Sequence, residues 1–249
     1  ESARAQSGTP EPTGGTLRAA FTGAGAQESL DPADVSSNIA WIRINALYDS
    51  LVQIEKGEIV NVLAESVTPN ADGSVWTVTV RPDILFHDGS PLMAEDVYFT
   101  FTAHPSPFAR AYFPSMNNVD VEKSRVVDDR TAEIALLAPD PAFLNTIWAV
   151  FVVKNGASEI GTMANGTGPF MLESFTRGER AMLARFDQSW RPENQRPGID
   201  NLELITINDS SARLNALLAG QIDFAGGLNP ADAIQMGEQE GFHLLDTEG

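Results

Sequence analysis

His87 and Asp88 are the first residues in this chain whose types could do chemistry, because an imidazole beside a carboxylate can shuttle a proton. Adjacent side chains rarely face one site, and no nucleophile accompanies them. The chain has no cysteine, and no serine stands in a G-x-S-x-G setting. The pair is therefore expected to lock a turn, with no catalytic residue and no enzyme activity assigned. His87, His104 and His243 show no metal-ligand spacing, so neither a protein-held metal nor another cofactor is expected. Gly23-Ala24-Gly25 follows a strand-like run and could cradle a phosphate. Glu28, however, stands where a third glycine belongs, and its carboxylate would repel the phosphate. Asp31, Asp209 and Asp223 read as turn or cap residues.

What remains is chemistry without bond-making. Trp41, Tyr112, Trp148 and Phe151 come from three separated segments, and Arg110 could pair a ligand carboxylate. Ser36, Asn38 and Asn165 are polar candidates. Apolar walls with a few placed polar groups describe a small-ligand site. The competing reading puts the four aromatics in the core and Arg110 in solvent. A net charge of −18 over 249 residues argues against a nucleic-acid backbone or an anionic membrane surface as partner. The acidity reads as solubility. No run of eighteen apolar residues occurs.

The elements that must position these residues follow from periodicity. Residues 15–22 read as a strand, 23–25 as a break and 30–32 as a turn. Ile44, Leu47, Tyr48 and Leu51 fall on one helical face. After a turn at 70–73, Trp76, Val78 and Val80 alternate with Thr77, Thr79 and Arg81 as a half-buried strand. Residues 87–91 break it. Ala94, Val97, Tyr98 and Phe101 then mark a helix with Glu95 and Asp96 in its first turn. Pro107 and Pro114 keep 105–118 irregular. Residues 119–127 and 131–138 read as strands around a turn at 128–130, and 146–153 is an almost wholly apolar run. Strands are expected at 170–175, 180–186 and 202–208. A helix capped by Asp209 or Ser210 should bury Leu214, Leu217 and Leu218 and end at Gly220. The strand at 222–225 should join one sheet with 16–21, and Asn229-Pro230 should open a last helix.

Several of these stretches together resemble the family 5 extracellular solute-binding proteins, the peptide, nickel and oligosaccharide receptors of ABC importers. Leu63–Ser66, Arg81, Phe86–Gly89 and Glu95–Val97 match its signature. LDP at 30–32, LYDSL at 47–51, VVDDRTAEIALLAPDPAFL at 126–144, GTGPF at 166–170 and DSSARLNALLAGQIDFA at 209–225 are similar to further family segments in the same order. Val67 stands where an aromatic is usual. Met93 replaces a Thr or Ser helix cap, leaving the capping to Ser90 or to nothing.

The resemblance implies a mixed α/β fold, the first lobe of a two-lobed type II periplasmic-binding-protein fold truncated before its second lobe. Residues 1–14 read as a flexible tail or tether. Residues 15–249 read as the lobe, with one subdomain of 15–45 plus 159–249 and an inserted one of 46–158. It further implies a monomeric receptor, periplasmic or extracellular, with lipid anchoring left open. The receptor would capture a small solute, foremost a peptide and otherwise a nickel chelate or oligosaccharide, and deliver it to a membrane permease. Ser36, Asn38, Trp41, Arg110, Tyr112, Trp148, Phe151 and Asn165 would line the first-lobe side of the cleft. A sensing module on the same fold and a hydrolase are the alternatives from other classes.

Overall fold

The computed structural model describes residues 14–245. The expected tail therefore lies, apart from Gly14, outside the described residues, as does the end of the chain after 245. In chain order the elements are β1 (Thr16–Phe21), α1 (Asn38–Leu47), β2 (Val52–Glu55), β3 (Glu58–Asn61), β4 (Ala64–Pro69) and β5 (Val75–Val80). Then come α2 (Ala94–Thr102), α3 (Ala109–Tyr112), β6 (Arg125–Val126), β7 (Thr131–Ala135), β8 (Phe170–Thr176) and β9 (Arg180–Arg185). β10 (Asn201–Thr206), α4 (Ser210–Leu218), β11 (Phe224–Ala225) and α5 (Pro230–Gly237) complete the order.

Two sheets result. A five-stranded sheet runs β11-β1-β10-β9-β8, and a four-stranded one runs β4-β5-β7-β6. β1 lies parallel to both β10 and β11, with Ala19 opposite Phe224. The segment after α4 thus returns to the first strand, as the sequence pattern predicts. The four-stranded sheet is antiparallel throughout. Trp76, Val78 and Val80 face its core beside Val97 and Phe101 of α2. A second core lies between α1 and the five-stranded sheet, with Ile39, Ile44, Leu47, Leu183 and Leu204 in it.

The apolar run after Trp148 serves both cores. Val150 and Val152 enter the first, while Phe151 and Val153 enter the second. An extended segment sends successive side chains to opposite faces. A segment buried on both faces therefore has no polar positions, which explains the continuous hydrophobicity.

Several expectations are corrected by local chemistry. The first helix stops at Leu47 and does not reach Leu51, because Tyr48 turns to an extended conformation. The Leu47 carbonyl then accepts from Gly168 N–H at 3.1 Å. Residues 121–124 form a turn in place of a strand, held where Ser124 Oγ donates to the Asp120 carbonyl at 2.7 Å. The helix at 209–218 buries Arg213 and Ala216, and Leu218 is exposed. Arg213 is drawn in by three carbonyls, those of Ile207, Asn208 and Gly227. At α2 neither Met93 nor Ser90 caps through its side chain. Asp96 instead accepts from Met93 N–H at 2.7 Å.

Gly166 and Gly168 have no room for a side chain. A Cβ at either would run into the backbone carbonyls at the end of α1, that of Leu47 or Ala46. Backbone obstacles give way reluctantly, so Gly166→Ala is expected to cost about 2 kcal/mol or more, the upper part of the overpacking range. Gly198→Ala, with open space around it, should stay within about 0.5 kcal/mol of the parent. Urea unfolding of the two variants checks the contrast.

Candidate functional site

The site begins with the cap of α1. Ser37 Oγ accepts from Ala40 N–H at 3.3 Å and caps the helix, which starts at Asn38. Ile39, Ala40, Arg43, Ile44 and Leu47 turn inward. Trp41 and Asn45, one turn apart, share an outer stripe, and Asn45 Nδ2 donates back to the Trp41 carbonyl at 2.8 Å. The second source is the apolar run. Ser50 and Phe151 form an antiparallel bridge, which fixes Phe151 beside α1 and brings Trp148 up next to it. Trp41 meets Trp148 edge-on at 6.2 Å between ring centroids and Phe151 at 5.9 Å. Phe151 is 2% exposed, whereas Trp41 and Trp148 keep 37% and 38% of their surface open. The β2–β3 hairpin supplies the third side through Gln53 and Ile54. Together these residues line an open pocket of about 160 Å3.

The structure thus brings Trp41, Trp148 and Phe151 into one cluster. Asn165 stands elsewhere. It accepts Asp88 N–H at 3.2 Å and donates to Asp88 Oδ2 at 2.9 Å. It lines a second cavity of about 450 Å3, together with Tyr48, Val153, Lys154, Ile160 and Met163. Ser36 and Asn38 flank the cap and are exposed. Arg110 is tied within its own loop, where Nη1 donates to the Met116 carbonyl at 2.6 Å. Tyr112, on the same short helix, is 48% exposed. No hydrogen bond or ring contact among the described residues joins Ser36, Asn38, Arg110 or Tyr112 to the tryptophan cluster. Sequence reading missed Asn45, Ser50, Gln53 and Ile54. Asn45 was findable, since it lies four residues after Trp41 on a helix.

His87 and Asp88 diverge. Gly166 N–H donates to His87 Nδ1 at 3.3 Å, so the proton sits on Nε2, 3.1 Å from the Gly168 carbonyl. Burial holds this imidazole below its ordinary pKa. Asp88 instead faces Lys154, Ser90 and Asn165. Partial burial would raise its carboxyl, but their hydrogen bonds hold it well below the usual range. Both residues are occupied in holding loops. The glycine loop after β1 is filled from inside: Glu28 and Arg43, each 1% exposed, pair at 3.1 Å, and a Cβ at Gly23 would strike the Glu28 carboxylate.

A model of the family described as bacterial extracellular solute-binding proteins, family 5 Middle, matches residues 58–248. The chain belongs to this family. Among curated relatives it is similar to the glutathione-binding protein GsiB of Pectobacterium atrosepticum, 28% identical over 205 residues, covering 79% of this chain and 39% of that protein. It resembles the periplasmic binding protein DppA of Helicobacter pylori, solved in complex with the peptide STSA, at 26% identity and a TM-score of 0.76. That match covers 92% of this chain and 50% of the other. A nickel ABC transporter structure from Bacillus halodurans matches at 26% identity and a TM-score of 0.78, covering 91% and 46%. The mixed α/β fold is that of a lobe of these binding proteins, and the chain spans half their length or less.

The histidines carry a pH signature. Burial lowers His104 from its ordinary 6.5 to about 4, and its Nδ1 accepts Ser106 N–H at 3.1 Å. A lowered folded-state pKa means that the unfolded chain takes the proton first. Stability from His104 is therefore full above pH 6.5 and is lost progressively down to about 4. Burial raises the Asp31 and Asp96 carboxyls, which titrate in the opposite sense. The comparison that isolates the imidazole is the parent against His104→Asn. The parent should lose more of its urea midpoint between pH 7.5 and pH 5 than the variant does.

Proposed function

We propose that this lobe forms one wall of the solute cleft of an extracytoplasmic receptor, which captures a peptide and hands it to an ABC permease in the membrane. The observation that carries this reading is the open tryptophan pair seated on a buried phenylalanine. Large aromatics left more than a third exposed beside a concavity are candidates for the anchors of a recognition surface. The peptide is favoured because GsiB is named for glutathione and DppA holds STSA. The nickel relative makes a metal chelate the second choice. Ser36, Asn38, Arg110, Tyr112 and Asn165 belong to the same reading as further contacts made when lobes close about a hinge. So do a monomeric state, a location outside the cytoplasmic membrane, and the division of the lobe into 15–45 plus 159–249 around 46–158. No helix among the described residues is long and apolar enough to cross a membrane. The function is binding, and no covalent step is assigned.

Calorimetry on the receptor in its full natural length, titrated with glutathione, tri- and tetrapeptides and nickel–histidine, tests the assignment. One of the peptides should bind, and the double variant Trp41→Ala/Trp148→Ala should weaken it by about 30-fold or more, the effect of losing a hot spot of about 2 kcal/mol. Unchanged affinity in that variant would remove the tryptophan pair from the site. Residues 1–249 alone present the pair to solvent on one side only. Half the contacts must then offset nearly the whole entropic cost of holding a ligand, so this chain by itself should bind no peptide tighter than about 1 mM. Micromolar binding by residues 1–249 would sink the one-wall account.

A further inference from the structure

Asn-Gly occurs twice in the chain, at Asn155-Gly156 and at Asn165-Gly166. We propose that Asn155 is a modification site, where the chain converts its own amide to aspartate and isoaspartate, and that the fold shields Asn165 from the same reaction. The chemistry is local and needs only water. The backbone nitrogen of the following residue, once it gives its proton to solvent, attacks Cγ of the asparagine. The new N–Cγ bond closes a succinimide, the Cγ–Nδ2 bond breaks, and ammonia leaves with a proton taken from water. A water molecule then opens the imide. Addition at Cγ gives aspartate, and addition at the main-chain carbonyl gives isoaspartate. Glycine favours the attack because it has no side chain to crowd its nitrogen or restrict its backbone.

At the first pair both reacting groups are open. Asn155 and Gly156 are exposed. They form the tip of a turn that Ala157 N–H closes onto the Lys154 carbonyl at 3.0 Å. Gly156 has a φ of 79°, and a Cβ there would meet nothing within 4 Å. Its N–H donates to no acceptor among the described residues, so solvent can take the proton. The Asn155 amide is held by one long contact, Nδ2 to Glu95 Oε2 at 3.5 Å.

The second pair has the same residues and none of this freedom. Gly166 is buried, and its N–H donates to His87 Nδ1 at 3.3 Å. The Asn165 amide is tied at both ends. Oδ1 accepts Asp88 N–H at 3.2 Å, and Nδ2 donates to Asp88 Oδ2 at 2.9 Å. Swinging that amide onto the Gly166 nitrogen means giving up all three bonds. The backbone of Leu47, packed against Gly166, leaves the loop no room to turn.

The product at 155 loosens the start of α2. Asn155 N–H donates to Asp96 Oδ1 at 2.7 Å, and Asp96 Oδ2 accepts the Met93 N–H that opens the helix. Aspartate at 155 sets a carboxylate against Glu95 where an amide now donates, and like charges repel. Isoaspartate adds a methylene to the main chain between the 155 and 156 nitrogens, which strains the turn and its hold on Asp96. Residues 154–157 also line the cavity of about 450 Å3, so its wall gains a negative charge.

The experiment ages the full-length receptor in warm, mildly alkaline buffer. Cleavage with a glutamate-specific protease separates the two sites at Glu159, and mass spectrometry that distinguishes aspartate from isoaspartate follows each. A parallel sample ages unfolded in urea. In the folded protein, conversion at 155 should run at least about tenfold faster than at 165, since every hydrogen bond that must be released raises the barrier. In urea the two sites should react at like rates, because the protection belongs to the fold. Asn155→Gln should abolish the product at 155 and leave 165 as it was. Asp88→Ala should speed conversion at 165. The urea midpoint of the parent should fall with age, and that of Asn155→Gln should hold. Equal conversion at the two folded sites, faster conversion at 165, or none at either would overturn the modification site. A contrast that persists in urea would overturn its structural basis, and a midpoint that ageing leaves unchanged would overturn the link to α2. None of these readouts involves a solute, so the receptor reading stands or falls separately.

Discussion

The loop Gly166-Thr167-Gly168 against the end of α1 is the contact on which the rest of the structure depends. The two glycines admit the loop to the Leu47 and Ala46 carbonyls, and Gly168 N–H then replaces the hydrogen bond that a further helical turn would have made. Ending the helix there turns Asp49 inward. Asp49 is 1% exposed, and a carboxylate at that depth is tolerable only with several donors. It has Thr167 Oγ1 at 3.0 Å, Trp190 Nε1 at 3.1 Å and the Arg191 guanidinium. His87 approaches the same loop from the four-stranded side and bonds to both glycines. One short loop therefore ties α1, the turn after β5 and the segment after β9.

That junction also positions the binding surface. Residues 48–52 leave the loop in an extended path, which lets Ser50 bridge to Phe151. The alternation of residues 150–153 between two cores then fixes which side of the segment Phe151 occupies. With α1 stopped early and the apolar run pinned beside it, Trp41 and Trp148 are brought together from positions 107 residues apart in sequence. Were α1 to continue to Leu51, Ser50 would be helical and unable to make the bridge. The helix stop and the aromatic cluster are two results of one constraint.

This is why the sequence was legible in some places and not in others. Strands with strict alternation, such as Val75–Val80, were readable because a half-buried strand has no other pattern available. The return of residues 222–225 to the first strand was readable from segment order. The stop of α1 was not, because Ile44, Leu47, Tyr48 and Leu51 continue a helical spacing past it, and the force that ends it lies more than a hundred residues away in the glycine loop. The burial of Arg213 in place of Leu218 was hidden for a similar reason, since the carbonyls that hold the guanidinium come from two different loops. In the candidate site, the tryptophans and Phe151 were legible as aromatics from separate segments. Gln53 and Ile54 were not, because the β2–β3 hairpin itself was not read from the sequence, and the side on which it stands follows from packing alone.

The charges of the interior explain the kind of site that remains. Glu28 is spent on Arg43 and Asp49 on Arg191; nearer the surface, Asp88 is spent on Lys154. Arg213 is spent on backbone carbonyls. Each of these groups is held by partners that fix it, and none is free to move a proton or to attack. Buried charges left unpaired are costly, so the groups held in these clamps are not available to a ligand. What the pocket beside Trp41 leaves open is neutral: two indoles, an isoleucine and two amides over a buried phenylalanine. A surface of that composition discriminates by shape and by buried apolar area. Such selectivity is coarse when one side of the ligand stays in water, and it sharpens when an opposing wall excludes solvent from the same group.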